Sequence, residues 1–295
     1  MARVNRAIDL VIANLDCPLH LDRLARAANF SPFHFHRIFQ GLVGETPGQF
    51  VKRVRLERAL RIMSHDPKRP LTHVALDCGF SSSSDFSRVF KQRFGASPRA
   101  FDLDRWRAEK HDGLKRLVED QGLDLHVHQL PKGANPDGFA IELVDLPPRS
   151  MAYIRVHDPY REGVVASAAQ RLVAWAERAG VAEHNWYGYM WDEPEVVELK
   201  DCRYDVAVEA DNFEPSGEVG RFDFPAMRVA RLTIRGGLDL EMRALDWLYR
   251  TWLPESGYVP DDQPCFEAWI ARPFAHGMQH FELDIHLPVR ASHWG

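Results

Sequence analysis

Cysteine, long apolar runs and the recurrent motifs of catalysis are what this chain of 295 residues lacks. Its four cysteines, Cys17, Cys78, Cys202 and Cys265, lie far apart, with no C-x-x-C and no Cys/His ligand spacing. That excludes a disulfide framework and a zinc-finger type of site, and fits reduced thiols in a cytoplasmic protein. No apolar run approaches the ~20 residues of a membrane span, so no membrane segment is expected. The opening M-A-R-V-N-R-A-I-D-L carries charge without a cleavable apolar core, so it does not read as a signal peptide. No nucleophile triad, phosphate loop or metal set is visible, so no catalytic residue, cofactor or metal is expected and the chain does not read as an enzyme. His126 and His128, either side of one valine, have no third ligand nearby and make a poor metal site.

What is present is a repeat. Phe35, Arg37, Phe39, Gly44, Pro47 and Phe50 recur 51 positions later as Phe86, Arg88, Phe90, Gly95, Pro98 and Phe101. Ala25, Phe30 and Ser31 recur 50 positions later as Ala75, Phe80 and Ser81, and the one-residue difference falls in a turn, where an insertion costs least. Charge divides with the repeat: residues 1–110 carry 19 Lys and Arg against 11 Asp and Glu, a net of +8, while the remainder carries 18 against 31, a net of −13. A basic third that contains two copies of a helix–turn–helix pattern points to double-stranded DNA as partner.

The periodicity predicts a short helix over 4–15, with Val4, Ile8, Val11, Ile12 and Leu15 on one face, and a second over 21–28. Ser31 is a good N-cap with Pro32 at the first helical position. In the helix that follows, Phe35, Ile38, Phe39 and Leu42 share the inward face and Phe33, His36, Arg37 and Gln40 the outward one. In the second unit Phe86, Val89, Phe90 and Phe94 face inward, and Ser84, Ser87, Arg88 and Lys91 outward. A long helix over 47–65, carrying Lys52, Arg53, Arg55, Arg58 and Arg61, sets the spacing of the two recognition helices, and its Lys52 and Arg53 are expected at the DNA. Successive major-groove faces lie ~34–36 Å apart, so one monomer is expected to read two of them.

The stretch V-A-L-D-C-G-F-S-S-S-S-D-F-S-R-V-F-K-Q-R-F-G-A-S-P resembles the signature of the AraC/XylS family of bacterial transcription regulators, and the likeness covers about residues 4–107. It implies an all-α double helix–turn–helix domain over 1–107 and places residues 33, 36, 37, 84, 87 and 88 toward the bases. Phosphate contacts position and base contacts specify, so His36 and Arg37 are the expected sequence readers. For Arg37 and Arg88 a surface ion pair or a phosphate contact is the plainer alternative. RNA polymerase is a candidate further partner of such a regulator.

Residues 108–137 are turn-rich in their second part and read as a linker. Over 138–290 a second duplication appears: I-E-L-V-D-L-P-P-R-S-M-A-Y-I-R-V resembles V-G-R-F-D-F-P-A-M-R-V-A-R-L-T-I. Each copy is a strand, a turn with proline and a strand, followed by an amphipathic helix and two more strands. The expected whole is therefore multidomain, the all-α part followed by an α+β domain built from two β-β-α-β-β halves.

A-Y-I-R-V-H-D-P-Y at 152–160, D-E-P at 192–194, R-Y-D at 203–205, W-L-P-E-S-G-Y at 252–258, F-E-A-W at 266–269 and L-P-V at 287–289 form an ordered set. The set is similar to that of the gyrase-inhibitor-like (GyrI-like) effector-binding domain. Two departures are Pro225-Ala226-Met227 in place of a glycine-containing turn, and Trp269 where the family usually has Tyr. The resemblance implies a cleft between the halves for bulky, often cationic or aromatic, small-molecule effectors. On the residues' own terms, Glu267 and Trp269 share one side of a strand, and Tyr187, Tyr189 and Trp191 share one side of another. These five and Tyr153 are the expected ligand residues, although Tyr153 could also be core. Trp175 and Trp247 read as core. Glu267 either meets a cation or pairs with a neighbouring Arg or Tyr hydroxyl. Two other functions stay open: hydrolysis of the ligand, and sequestration of a toxic compound.

Overall fold

The computed structural model describes residues 1–120, 131, 133–275 and 280–292. The pair His126 and His128 lies outside the described residues. The chain divides into two compact units, one spanning Met1–Arg107, the other holding Ala108–Pro215 and 221–292.

The first unit is helical: α1 (Ala2–Ile12), α2 (Leu21–Ala27), α3 (Pro32–Val43), α4 (Pro47–His65), α5 (Leu71–Asp77) and α6 (Ser83–Phe94). α1 stops three residues before its expected end; the Asn14 amide donates to the Leu10 carbonyl and closes the turn, while Leu15 is buried from the loop. The α3 start is capped as expected, Ser31 Oγ accepting from the His34 amide with Pro32 behind it. α4 opens with a reciprocal cap between Thr46 and Gln49. The repeat is realised ring for ring: Phe39 meets Phe50 at 5.4 Å, and Phe90 meets Phe101 at 5.3 Å, both edge to face. Leu42 is not core: it is 48% exposed. The helix repeat carries the inward face from Phe35 and Phe39 to Val43, which packs on the core instead.

Arg55 closes the first unit in a way that its charge does not suggest. Its Nε donates to the Leu15 carbonyl at 2.9 Å and its Nη2 to the Cys17 carbonyl at 2.6 Å. Gly79 packs against the same place at φ +76; a Cβ there would stand 2.1 Å from the Leu15 oxygen, so only glycine fits.

α7 (Leu103–Asp120) runs as helix through residue 108, where a linker was expected. Its Leu114 is buried against Tyr160, Leu199, Leu238 and Met242, and its Lys110 and His111 pair with Glu198 and Glu195.

The second unit contains β1 (Glu142–Leu146), β2 (Arg149–His157), α8 (Val164–Ala179), β3 (Trp186–Met190), β4 (Arg203–Glu209), β5 (Gly220–Phe224), β6 (Met227–Gly236), α9 (Leu238–Trp247), β7 (Tyr258–Pro260), β8 (Cys265–Trp269) and β9 (Phe281–Ala291). The two expected halves are β1-β2-α8-β3-β4 and β5-β6-α9-β8-β9, with β7 added on β9. The halves exchange their first strands. The sheet order is β1-β6-β9-β8-β3-β4-β2-β5, so β1 joins the second half and β5 the first, and β3 meets β8 in the middle.

Two residues join β1 to β2, and two join β5 to β6, yet each pair stands near opposite ends of that order. The sheet must therefore curl until its ends approach. Ring contact demonstrates the curl: Phe224 on β5 stacks on Tyr189 of β3 at 4.4 Å, across three strand spacings that would measure ~14 Å in a flat sheet. The inner face holds Met151, Tyr153, Tyr187, Tyr189, Phe224, Met227, Val229 and Phe266. The outer face is covered by α8, which packs on β2 and β4, and by α9, which packs on β6. Trp247 is core there, against Phe139, as expected; Trp175 is half-buried against Phe213.

Candidate functional site

On the helical unit, α3 and α6 present equivalent outer faces. Phe33 is 74% exposed, and the Arg37 guanidinium lies 5.8 Å from its ring centroid. Gln40 is exposed one turn on and His36 is half-buried beside it. On α6, Ser84, Arg88 and Lys91 are exposed and Ser87 is half-buried. Arg88 holds Asp85 at 2.7 Å with most of its side chain in water, and the bond holds the Asp85 carboxyl below the usual range. An exposed pair of this kind is worth little and is readily exchanged for a phosphate or a base.

Lys52 and Arg53, neighbours on α4, part company. Lys52 is exposed, whereas Arg53 donates to Glu45 at 2.6 Å and to Glu57 at 3.0 Å with only 12% of its side chain exposed. Arg53, expected at the nucleic-acid surface, is engaged within the helical unit: one turn of helix brings Glu57 beside it and the capped start of α4 delivers Glu45.

In the sheet unit, Glu267 sits on β8 directly opposite Gly188 of β3. Opposed residues of an antiparallel pair share a face, so Glu267 points to the outer side, toward the helices. Its Oε2 accepts from the Tyr204 hydroxyl at 2.9 Å and from the Trp269 indole at 2.9 Å. A third partner comes from the first turn of α9: Glu241, buried like Glu267 at 7% exposure, is hydrogen-bonded to it side chain to side chain. Burial, reinforced by the charge of Glu267, pushes the Glu241 carboxyl well above the usual range. Burial raises Glu267 too, opposed by the bonds from Trp269, Glu241 and Tyr204. A hydrogen bond between two carboxyls needs a proton on one of them, and the stronger upward push on Glu241 favours Glu241 as the donor. Among the described residues neither carboxyl has a basic partner; the buried Arg155 and Arg203 pair with Asp205 and Asp192.

The expected ligand residues do not form one group. Glu267 and Trp269 belong to the outer face. Tyr153, Tyr187, Tyr189 and Trp191 belong to the inner one, where Trp191 donates to Asp205 at 2.6 Å. The reason is register: β3 opposes Tyr189 to Phe266 and Gly188 to Glu267, so the aromatic run and the carboxylate stand back to back. What joins Glu267 instead is Tyr204, within the R-Y-D motif, and Glu241. The latter was visible only as an acidic residue in line with Ala244 and Leu248 on the buried face of an amphipathic helix. No group of three or more His, Cys, Asp or Glu that could hold a metal occurs among the described residues.

Residues 139–290, just over half of the chain, match the family described as GyrI-like small molecule binding domain. The chain belongs to that family. Residues 24–103 match a helix-turn-helix domain, of the AraC type, so the GyrI-like unit follows a helix–turn–helix one. The chain is similar to the Right origin-binding protein of Escherichia coli strain K12, 34% identical over 99 residues, which are 32% of this chain and 33% of that protein. It is also similar to the regulatory protein SoxS of Salmonella typhimurium, 28% identical over 95 residues, 32% of this chain and 88% of SoxS. The chain matches only about a third of the length of the Right origin-binding protein. Among solved structures, the DNA-binding domain of AdpA in complex with a target DNA is 26% identical over 37% of this chain and 96% of that one, with a TM-score of 0.34. No described helix of this GyrI-like protein is long and apolar enough to cross a membrane.

Proposed function

We propose that this GyrI-like protein is a sequence-specific DNA-binding transcription regulator whose sheet unit senses a cationic aromatic small molecule. Support for DNA comes from the helical unit: a basic surface, two equivalent outward faces on α3 and α6, and sequence relatives named as regulators. Phe33, His36, Arg37 and Gln40 on one helix, Ser84, Ser87, Arg88 and Lys91 on the other, and Lys52 between them are the contact residues of this reading.

The observation that carries the effector is the buried Glu241–Glu267 pair. Two buried carboxyls are hydrogen-bonded to each other, which takes at least one proton between them, and neither has a basic partner among the described residues. A buried charge without a counter-ion costs several kcal/mol, and a cation that brings its own apolar surface removes that cost. The Trp269 and Tyr204 rings beside Glu267 add cation–π attraction of ~0.5–2 kcal/mol each where a ring face is reached. Glu267 is the counter-charge, Glu241 its proton partner, and Tyr204 and Trp269 hold its carboxylate. The test is a titration of the full chain with rhodamine 6G, a lipophilic cation, and with a neutral aromatic of similar size. Cation binding that is lost in Glu267→Gln supports the site; equal binding of both dyes, insensitive to Glu267, overturns it.

A further inference from the structure

In this GyrI-like unit four arginines, Arg155, Arg203, Arg228 and Arg243, present the Nε–Nη2 edge of the guanidinium to a carboxylate. Arg155 grips Asp205 at 2.8 and 2.6 Å, Arg203 grips Asp192 at 2.8 and 2.6 Å, Arg228 grips Asp145 at 2.8 and 2.8 Å, and Arg243 grips Asp137 at 2.9 and 3.0 Å. Arg149 breaks the pattern. Its Nε and Nη2 are both buried and neither has a hydrogen-bond partner. This is the fork that recognises a carboxylate with two parallel N–H···O bonds. An arginine donor enclosed without an acceptor is costly, and each such group in a folded protein calls for a use.

The surroundings describe the ligand. Arg149 is the first residue of β2 and only partly buried as a whole, so its fork lies one side chain's depth from solvent. On the inner face of the curled sheet its guanidinium carbon lies 5.0 Å from the Tyr187 ring centroid and 4.8 Å from that of Phe266. Tyr189, 1% exposed, packs 5.1 Å from the same Phe266 ring, and its hydroxyl is likewise buried without a partner. The Tyr187 hydroxyl is bonded by Arg149 and Glu209, and Glu209 is held in turn by Asn185 at 3.0 Å, so that carboxylate is occupied and does not fill the fork.

We propose that Arg149 and Tyr189 form a second binding site, separate from the Glu241–Glu267 pair and on the opposite face of the sheet, for a small-molecule carboxylate borne on a flat aromatic body. The fork takes both carboxylate oxygens and the Tyr189 hydroxyl donates a further bond, while the aromatic body lies on the solvent side of Arg149, because the Tyr189 and Phe266 rings are buried and packed against Phe224 and each other. The unit would then accept a cation on its outer face and an anion on its inner one.

The experiment is isothermal titration of the full chain with 2-naphthoate, 2-naphthamide and inorganic phosphate. Saturable binding of naphthoate, with the amide and phosphate at least about tenfold weaker, is expected, because the amide lacks the charge and phosphate lacks the ring; charged hydrogen bonds of this kind set the tenfold scale. Arg149→Gln should lower naphthoate affinity about tenfold or more, Arg149→Lys should recover only part of it because it keeps the charge without the fork, and Tyr189→Phe should cost several-fold. Near-ultraviolet circular dichroism checks the fold, and where Arg149→Gln does not fold, Arg149→Lys and Tyr189→Phe decide. Glu267→Gln should leave naphthoate binding unchanged, which separates this site from the cation site. Absence of naphthoate binding at millimolar concentration, binding untouched by Arg149→Lys and Tyr189→Phe, or phosphate binding as tight as naphthoate would each overturn the proposal.

Discussion

Gly188 and Glu267 face each other across the β3–β8 ladder, and the hydroxyl of Tyr204 occupies the space that any side chain at 188 would need. A Cβ at Gly188 would lie 1.7 Å from that hydroxyl oxygen and 3.0 Å from Glu267 Oε2. The backbone at 188 is ordinary strand, so the glycine is there for the approach of the tyrosine and not for a turn. Gly188→Ala should therefore drive Tyr204 off the carboxylate, lower the thermal midpoint and weaken cation binding together. Tyr204→Phe removes the same hydrogen bond without the clash and should cost about 1–2 kcal/mol of stability. Thermal unfolding of the two variants checks the order, with the alanine variant the less stable.

Glu267→Gln keeps the size of the side chain and an oxygen to accept from Tyr204 and Trp269, and removes its charge. Rhodamine 6G should lose far more affinity than a neutral aromatic of similar shape, whereas Trp269→Ala should weaken both by removing a ring. Neither substitution touches α3 or α6, and DNA affinity without ligand should stay at the wild-type value in a fluorescence-anisotropy titration.

Much of this architecture is legible in the sequence because it is written twice. The recurring Phe39–Phe50 and Phe90–Phe101 contacts are pairs of residues at one sequence separation, and an amphipathic period suffices to turn them inward. The β-β-α-β-β halves are legible for the same reason. The strand exchange between them is not, since pairing of β1 with β6 depends on contacts across more than eighty residues. The expected ligand residues divide between the two faces at that point. Alternation tells which residues of one strand share a face, but only register tells which faces of two strands coincide, and here Tyr189 meets Phe266 while Glu267 meets Gly188. Arg53 shows the converse limit: a cation on a basic helix looks available until its carboxylate partners, one from the preceding turn, are placed in space.

The shared proton gives the cation site a pH signature. Burial raises both carboxyls, so as pH falls Glu267 gains its proton at a pH above the usual carboxylate range. Cation affinity should then fall by up to about tenfold per pH unit below that point. Stability moves the other way. At low pH the pair is protonated in both folded and unfolded chains and carries no penalty. As pH rises through the usual carboxylate range, the unfolded chain loses these protons first, so the folded state is progressively disfavoured until the raised values are passed. Glu241→Gln removes one of the two groups and should flatten that decline. Chemical denaturation between pH 4 and 8 measures it, and an unchanged slope would show that Glu241 is not the proton carrier.

Arg37 and Arg53 differ by sixteen positions in sequence and by their whole environment. Arg37 is exposed on α3 with Phe33 beside it; Arg53 is held by Glu45 and Glu57. If Arg37 reads a guanine through its fork, Arg37→Ala costs ~1–3 kcal/mol at that base pair and leaves the half of the operator read by α6 intact. Stability should scarcely change, because the side chain supports no packing. Arg53→Ala reverses the outcome. It leaves two part-buried carboxylates facing one another without their cation, and should cost about 2 kcal/mol or more of folding stability. Its effect on DNA should be limited to the small, uniform, salt-sensitive loss of one positive charge near the phosphates. Selection of binding sites from a randomised duplex pool, run beside urea denaturation for both variants, reads the two effects separately. A change in the preferred sequence for Arg53→Ala at unchanged stability would return Arg53 to the DNA surface and overturn the division drawn between them.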